Sequence, residues 1–183
     1  MSTVVISHEY ASSPDQAWYE HLAATLDAHD VRTPQMPDPE APQPEPWLRA
    51  VAEQITDPAD TVLVGHSLGG VNLLRLLQRH EGEPFAGVVL VAAMAHEVGY
   101  DQLAAFFEDG FDWARIRNAA KQFRVLAAID DPVLTPDPLD HVRLFTTHLG
   151  AKSIVTADGI HFSRHQNRRE LREAIDLVTE LLP

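Results

Sequence analysis

The stretch VLVGHSLGGVNLLRLLQ, Val62 to Gln78, runs from an apolar, β-branched segment through Gly-His-Ser-Leu-Gly-Gly into leucines at helical spacing. A continuous apolar run that ends in a turn reads as a strand buried on both faces, and Leu73, Leu74 and Leu77 mark the apolar side of a helix directly behind it. Between the two stands Ser67, the centre of a G-x-S-x-G motif formed with Gly65 and Gly69 and followed by Gly70. Strand, sharp turn and helix in that order lift a serine above the sheet as a nucleophile, and the glycines let strand and helix approach without Cβ clashes. A second reading makes Ser67 a helix N-cap and the glycines turn formers.

Outward from this stretch, similar short apolar runs recur at Thr3, weakly near Val31, at Gly87, at Phe123 and at Lys152. Segments of helical period separate them, including Trp18, Leu22 and Leu26 early in the chain and Leu171, Ile175, Val178 and Leu182 at its end. Alternating strand and helix predicts a largely parallel sheet covered on both faces. Six prolines between Pro34 and Pro46 predict an extended connection leading to a helix near Trp47. No repeat or boundary divides the chain, so residues 1–183 read as one domain.

A serine hydroxyl is a poor nucleophile at neutral pH and needs a base oriented by a carboxylate, in the order Ser, acid, His for this type of turn. The acid is expected after the strand at Phe123, where Asp130 and Asp131 open DDPVLTP. Only one of two adjacent acids can face the site. Asp131 is favoured because the prolines around it fix a loop that aims the acid across the sheet end. The base is expected after the last strand, where His161 follows the turn pair Asp158 and Gly159, with His165 placed at the start of the final helix. His161 is the better placed to reach back over Ser67, and histidine is the side chain suited to taking and returning a proton near neutral pH. His8, His66 and His96 follow or flank other strands, but no H-E-x-x-H or comparable ligand spacing calls for a metal.

Composition narrows the partners. Twenty-seven acids against fourteen bases give a formal charge of -13, which repels nucleic-acid phosphates and anionic membranes. At 183 residues the chain is long enough to bury a core of its own. The absence of cysteine removes disulfides, thiol nucleophiles and thiolate metal sites, and fits a reducing compartment. The start MSTVVISHEY lacks the basic region and long apolar run of a signal peptide, and no segment reaches the length of a membrane span, so a cytoplasmic protein is expected.

With these residues assembled, the chain resembles the small serine hydrolases of the retinoblastoma-binding protein nine and YdeN type, in the α/β-hydrolase superfamily. The likeness runs nearly end to end and rests on WYEHL from Trp18, MPDP from Met36, Trp47, GHSLGG from Gly65, FDWARIRNAAKQF from Phe111, DDPVLTP from Asp130 and GIHF from Gly159. It implies a compact α/β-hydrolase fold, a six-stranded sheet ordered 2-1-3-4-5-6 with helices on both faces and no large lid. It also implies Ser67, Asp131 and His161 as the triad. Where such proteins usually carry His-Gly or Pro-Gly after the first strand, this chain reads His8, Glu9, Tyr10, which brings a carboxylate toward the developing oxyanion. The oxyanion hole is accordingly expected from the backbone amides of Leu68 and of Tyr10 or Glu9.

The resulting expectation is a serine hydrolase acting on a small ester, thioester or amide through an acyl-enzyme, with no metal or organic cofactor. A weakly active binding or regulatory protein on the same scaffold is the alternative that Glu9 motivates; a proline-reading partner for residues 34–46 is a third. Trp18, Phe106, Phe107, Phe111 and Trp113 are candidates for an acyl pocket or, more simply, for core. The segment from Glu97 to Trp113 is a candidate flap.

Overall fold

The structure, a computed structural model, describes residues 1–166 and 168–183. Six strands, β1 (Thr3–Ser7), β2 (Asp30–Arg32), β3 (Thr61–His66), β4 (Gly87–Val91), β5 (Phe123–Ala128) and β6 (Lys152–Thr156), form one sheet in the order β2-β1-β3-β4-β5-β6. Every pairing is parallel, so each connection must cross over a face. The crossovers carry helices α1 (Tyr19–Thr25), α2 (Pro44–Ala52), α3 (Leu68–Arg79), α4 (Trp113–Asn118) and α5 (Pro138–Leu149), with α6 (Arg172–Thr179) closing the chain.

Strand alternation divides the core in two. Val4 and Ile6 of β1, Val62 and Val64 of β3, and Val89 and Val91 of β4 face α1 and α6, packing on Trp18, Leu22 and Val178. Val5, Leu63, Val88 and Leu90 face the opposite layer, where Trp47 of α2 and Leu73, Leu74 and Leu77 of α3 cover them. Both faces of β1, β3, β4 and β5 are buried, which is why those runs are largely continuous in apolar residues. The segment from Lys152 departs from this expectation. β6 is an edge strand with exposed side chains, among them Ile154 and Val155.

The proline run braces the loop after β1. Trp47 is fully buried and donates its indole N–H to the Pro37 carbonyl at 2.7 Å, while Ala11 N–H reaches the Pro39 carbonyl at 2.8 Å. Helix α5 carries its own boundaries: Asp137 accepts from the Leu139 amide as N-cap, Pro138 follows, and Gly150 ends the helix at φ +65°.

Three buried histidines tie the loops above the sheet as neutral linkers. Nε2 of His8 accepts the Met36 amide (3.0 Å) while Nδ1 donates to the Glu9 carbonyl. Nδ1 of His141 accepts the Ala95 amide (3.0 Å) while Nε2 donates to the Thr135 carbonyl. Nε2 of His66 donates to the His161 carbonyl (2.9 Å), which leaves Nδ1 to accept from the Tyr19 hydroxyl (2.7 Å). Protonation would set a donor against a backbone N–H at His8 and His141 and would force the Tyr19 hydroxyl to turn its proton away from His66, and burial holds all three pKa values below the ordinary one.

Two predictions follow from this packing. A Cβ at Gly69 would lie 1.9 Å from the Ser7 carbonyl oxygen, whereas one at Gly99, at φ +86°, meets nothing. Gly69→Ala is expected to lose about 3 kcal/mol of unfolding free energy in urea titrations, against about 1 kcal/mol for Gly99→Ala. Equal losses would remove steric approach as the reason for glycine. For the histidines, the folded pKa lies below the unfolded value, so the unfolded chain binds the extra protons. Stability is full above about pH 6.5 and falls below it, by up to about 1.4 kcal/mol per pH unit for each histidine until its folded pKa is reached. A urea midpoint that stays level from pH 7 to 5.2, above the carboxylate range, would contradict this.

Candidate active site

The turn from β3 into α3 is held by backbone contacts that leave no room for side chains. Added Cβ atoms would approach Gly70 Cα at 2.5 Å from Gly65, and the Ala93 methyl at 2.5 Å from Gly70. The first turn of α3 therefore sits directly on the ends of β1 and β4. Ser67 takes up the change of direction with φ +54° and ψ -120°, a conformation costing a non-glycine residue on the order of 1–3 kcal/mol. Its amide donates to the Val91 carbonyl at 2.9 Å and its carbonyl accepts from Gly70 at 2.9 Å, so the strain is held from both sides. Ser67 occupies the N-cap position, yet its hydroxyl caps nothing; it points instead toward the loop after β6.

There it meets His161. Ser67 Oγ lies 2.7 Å from Nε2, and Nδ1 lies 2.7 Å from Asp131 Oδ2. Asp131 Oδ1 also accepts the Val133 amide at 2.8 Å, which fixes the carboxylate plane. A carboxylate on Nδ1 keeps the proton there and leaves the Nε2 lone pair to the serine hydroxyl. All three residues are buried. Asp130 takes a different task, accepting the Ile160 amide at 2.8 Å and stapling the acid loop to the histidine loop. Phe162, fully buried beside His161, anchors that loop in the core. His165 is not on the final helix, as expected, but in a 3-10 turn spanning Arg164–Gln166; α6 begins only at Arg172.

The loop after β1 completes the rim. Glu9 donates its amide to the Tyr19 hydroxyl at 3.2 Å and accepts the Arg164 amide on Oε1 at 3.1 Å. The Glu9 N–H is thereby engaged, a correction to its expected place in the oxyanion hole. The carboxylate still borders the cleft but is turned onto the histidine loop. Tyr19 and His66, for which the chain gave no positional signal beyond polar groups beside an apolar helix and a strand end, link Glu9 to the His161 carbonyl. Glu9, His66 and His161 also bring ligand-type atoms within 4.8 Å of one another. The imidazole nitrogens of both histidines and Oε1 of Glu9 are committed to hydrogen bonds, so the group works as a clamp.

A cleft of about 250 Å³ opens over Ser67 and His161. Tyr10, Tyr100, Leu103, Pro132, Val133 and Ile160 supply most of its apolar wall. The expected flap is thus present in part, as Tyr100 and the 3-10 helix Asp101–Phe106, and Arg75 of α3 holds its end by donating to the Phe106 and Glu108 carbonyls at 3.1 Å. The five aromatics named as an acyl-pocket option do not line the cleft; Trp18 and Phe106 are fully buried core. No helix among the described residues is long and apolar enough to cross a membrane.

The pattern of the serine hydrolase family matches residues 4–180. The chain is 23% identical over 149 residues to the serine hydrolase RBBP9 of Rattus norvegicus, covering 80% of this chain and 77% of the relative. Among solved structures it is similar to the ydeN gene product from B. subtilis, with 27% identity and a TM-score of 0.91 over 99% of this chain and 98% of that one. Est1E from Butyrivibrio proteoclasticus shares the fold at 12% identity, with a TM-score of 0.72 over 98% and 88% of the two chains. The chain belongs to the serine hydrolase family, within the α/β-hydrolase superfamily.

Proposed function

We propose that this hydrolase cleaves a small carboxylic ester, with thioesters and amides as neighbouring substrate classes, through an acyl-enzyme on Ser67. The observation that carries the reading is the hydrogen-bonded chain from Ser67 Oγ through His161 to Asp131, with both links at 2.7 Å. His161 Nε2 takes the hydroxyl proton as Oγ attacks the carbonyl carbon, and Asp131 stabilises the imidazolium so formed. The carbonyl π electrons move to oxygen, giving an oxyanion. Leu68 is the first residue of α3, so its amide has no acceptor within the helix and serves as one oxyanion donor, reinforced by the helix dipole. The Tyr10 amide, next to the engaged amide of Glu9, is the second.

Collapse of the tetrahedral intermediate breaks the bond to the leaving oxygen, which takes the proton from His161. Water then enters, gives a proton to the same nitrogen and attacks the acyl carbon; Ser67 leaves with that proton, and the acid product departs. The cleft volume of about 250 Å³ lies below the roughly 300–1,000 Å³ of drug-sized ligand pockets, which favours short acyl groups. Est1E, the fold neighbour, is also solved with ferulic acid bound, an acid of the kind that ester cleavage releases. The alternative of a scaffold kept for binding rests on Glu9, whose carboxylate borders the cleft and opposes an oxyanion.

Two experiments separate and refine these readings. A fluorophosphonate probe is expected to label the native protein and not Ser67→Ala, while Asp131→Asn lowers kcat on p-nitrophenyl acetate by about 10⁴-fold with its fold intact by circular dichroism. Labelling that survives Ser67→Ala, or a native protein that never labels, would overturn the enzymatic proposal. Across p-nitrophenyl esters of two to twelve carbons, about that range being enough to overfill the cleft, kcat/KM is expected to peak at the short end. A rise toward the longest chains would show that the flap opens a larger acyl site.

A further inference from the structure

Beside the cleft lies a second cavity of about 310 Å³ walled by Gln16, Ala17, Arg164, His165, Arg168 and Arg169. His165 lines both cavities, so they adjoin at that side chain. The 3-10 turn Arg164–Gln166 forms the partition: Ser163 and Gln166 face the cleft, and Arg164 faces the second cavity.

The three guanidinium groups are poorly satisfied by the protein. Each offers five N–H donors. Among the described residues, Arg164 spends one on Gln16 Oε1 (3.0 Å), Arg169 spends one on the Asp15 carbonyl (3.1 Å), and Arg168 spends none. Arg168 instead lies over the Phe162 ring, 5.5 Å from its centroid. The Nε atoms of Arg164 and Arg168 are buried without a partner, a state that costs free energy unless something else compensates. No carboxylate lies within ion-pair distance of these three groups among the described residues. Of the nearby acids, Asp15 accepts the Ser13 hydroxyl, which with a backbone hydrogen bond and the Arg169 charge holds its pKa below the ordinary value, and Glu9 accepts the Arg164 amide.

In a chain of formal charge -13, three arginines converging on one concavity form a local reversal of field. The geometry points to an anion subsite in which Arg164, Arg168 and Arg169 hold a carboxylate or phosphate on the substrate while its ester lies over Ser67. Its assignment to substrate rests on the hydrolase reading above; its assignment as an anion site does not. Planar guanidinium groups suit a compact oxyanion because they donate in parallel pairs. Placing that anion in the adjoining cavity also lets an acidic protein take an acidic ester, which its overall charge would otherwise repel.

The test has two arms. In the first, p-nitrophenyl hydrogen glutarate is compared with p-nitrophenyl valerate, matched in chain length, and the ratio of kcat/KM is taken within each protein so that general losses cancel. The Arg168→Gln/Arg169→Gln variant is expected to lower the glutarate-to-valerate ratio at least about tenfold, the scale of one charge-assisted hydrogen bond, and added salt should lower the native ratio. In the second arm, inorganic phosphate and free glutarate are titrated into Ser67→Ala protein while the arginine Nε–H resonances are followed. Saturable shifts at Arg164 and Arg168, with the Arg164 shift lost in the double variant, support the subsite even if Ser67 proves not to be a nucleophile. Shifts with phosphate but an unchanged ester ratio overturn the assignment to substrate. No saturable shift with either anion overturns the site.

Discussion

Everything at the rim of this sheet depends on how closely the first turn of α3 rests on the ends of β1 and β4. A methyl group at Gly69 would overlap the Ser7 carbonyl, and one at Gly70 would overlap Ala93. Without side chains there, the helix starts within one residue of the strand end, and Ser67 is forced to φ +54° to make the turn. That position presents the hydroxyl to the opposite loop. Strand, strained residue and helix origin are consequences of one contact.

The opposing histidine has no comparable rigid element beneath it, and its loop is fastened by several weaker means. Phe162 sinks into the core, Asp130 takes the Ile160 amide, Glu9 takes the Arg164 amide, and His66 donates to the His161 carbonyl. The hydrogen bonds come from three different parts of the chain, around Asp130, Glu9 and His66, so the loop is located by convergence. Glu9, which at first sight opposes an oxyanion, is part of that fastening: its amide and its carboxylate each hold a separate neighbour. A glycine there would supply neither the carboxylate contact nor the link through the side chain.

The strands and the residues gathered at the sheet's rim were legible because each rests on local pattern. β3 and β4 are continuous apolar runs, Ser67 is marked by glycines, and Asp131 and His161 follow strands at loop positions. The family likeness supplied the strand order, which periodicity alone does not contain. What escaped was set by contacts between distant segments. Nothing in the sequence says that the Glu9 amide meets Tyr19 or that His66 reaches the loop after β6. β6 looked buried because its composition matches the inner strands, but its place at the sheet edge leaves its side chains exposed. Helix α5 was readable in principle from Asp137-Pro138 and Gly150, its two caps.

The loop that carries His161 also begins the arginine wall. From Gly159 to Arg169 one segment supplies the imidazole, the partition between the two cavities and the three cationic groups of the second. Because Arg164 is joined through its amide to Glu9, and Glu9 through its own amide to Tyr19 and on to His66, a charge bound at the guanidinium groups is mechanically connected to the carbonyl of His161. An anion that satisfies the buried Nε donors would tighten the same loop that must hold the imidazole at hydrogen-bond distance from Ser67. Recognition and base positioning then draw on a single set of contacts, so filling the second cavity should act on catalytic geometry as well as on affinity.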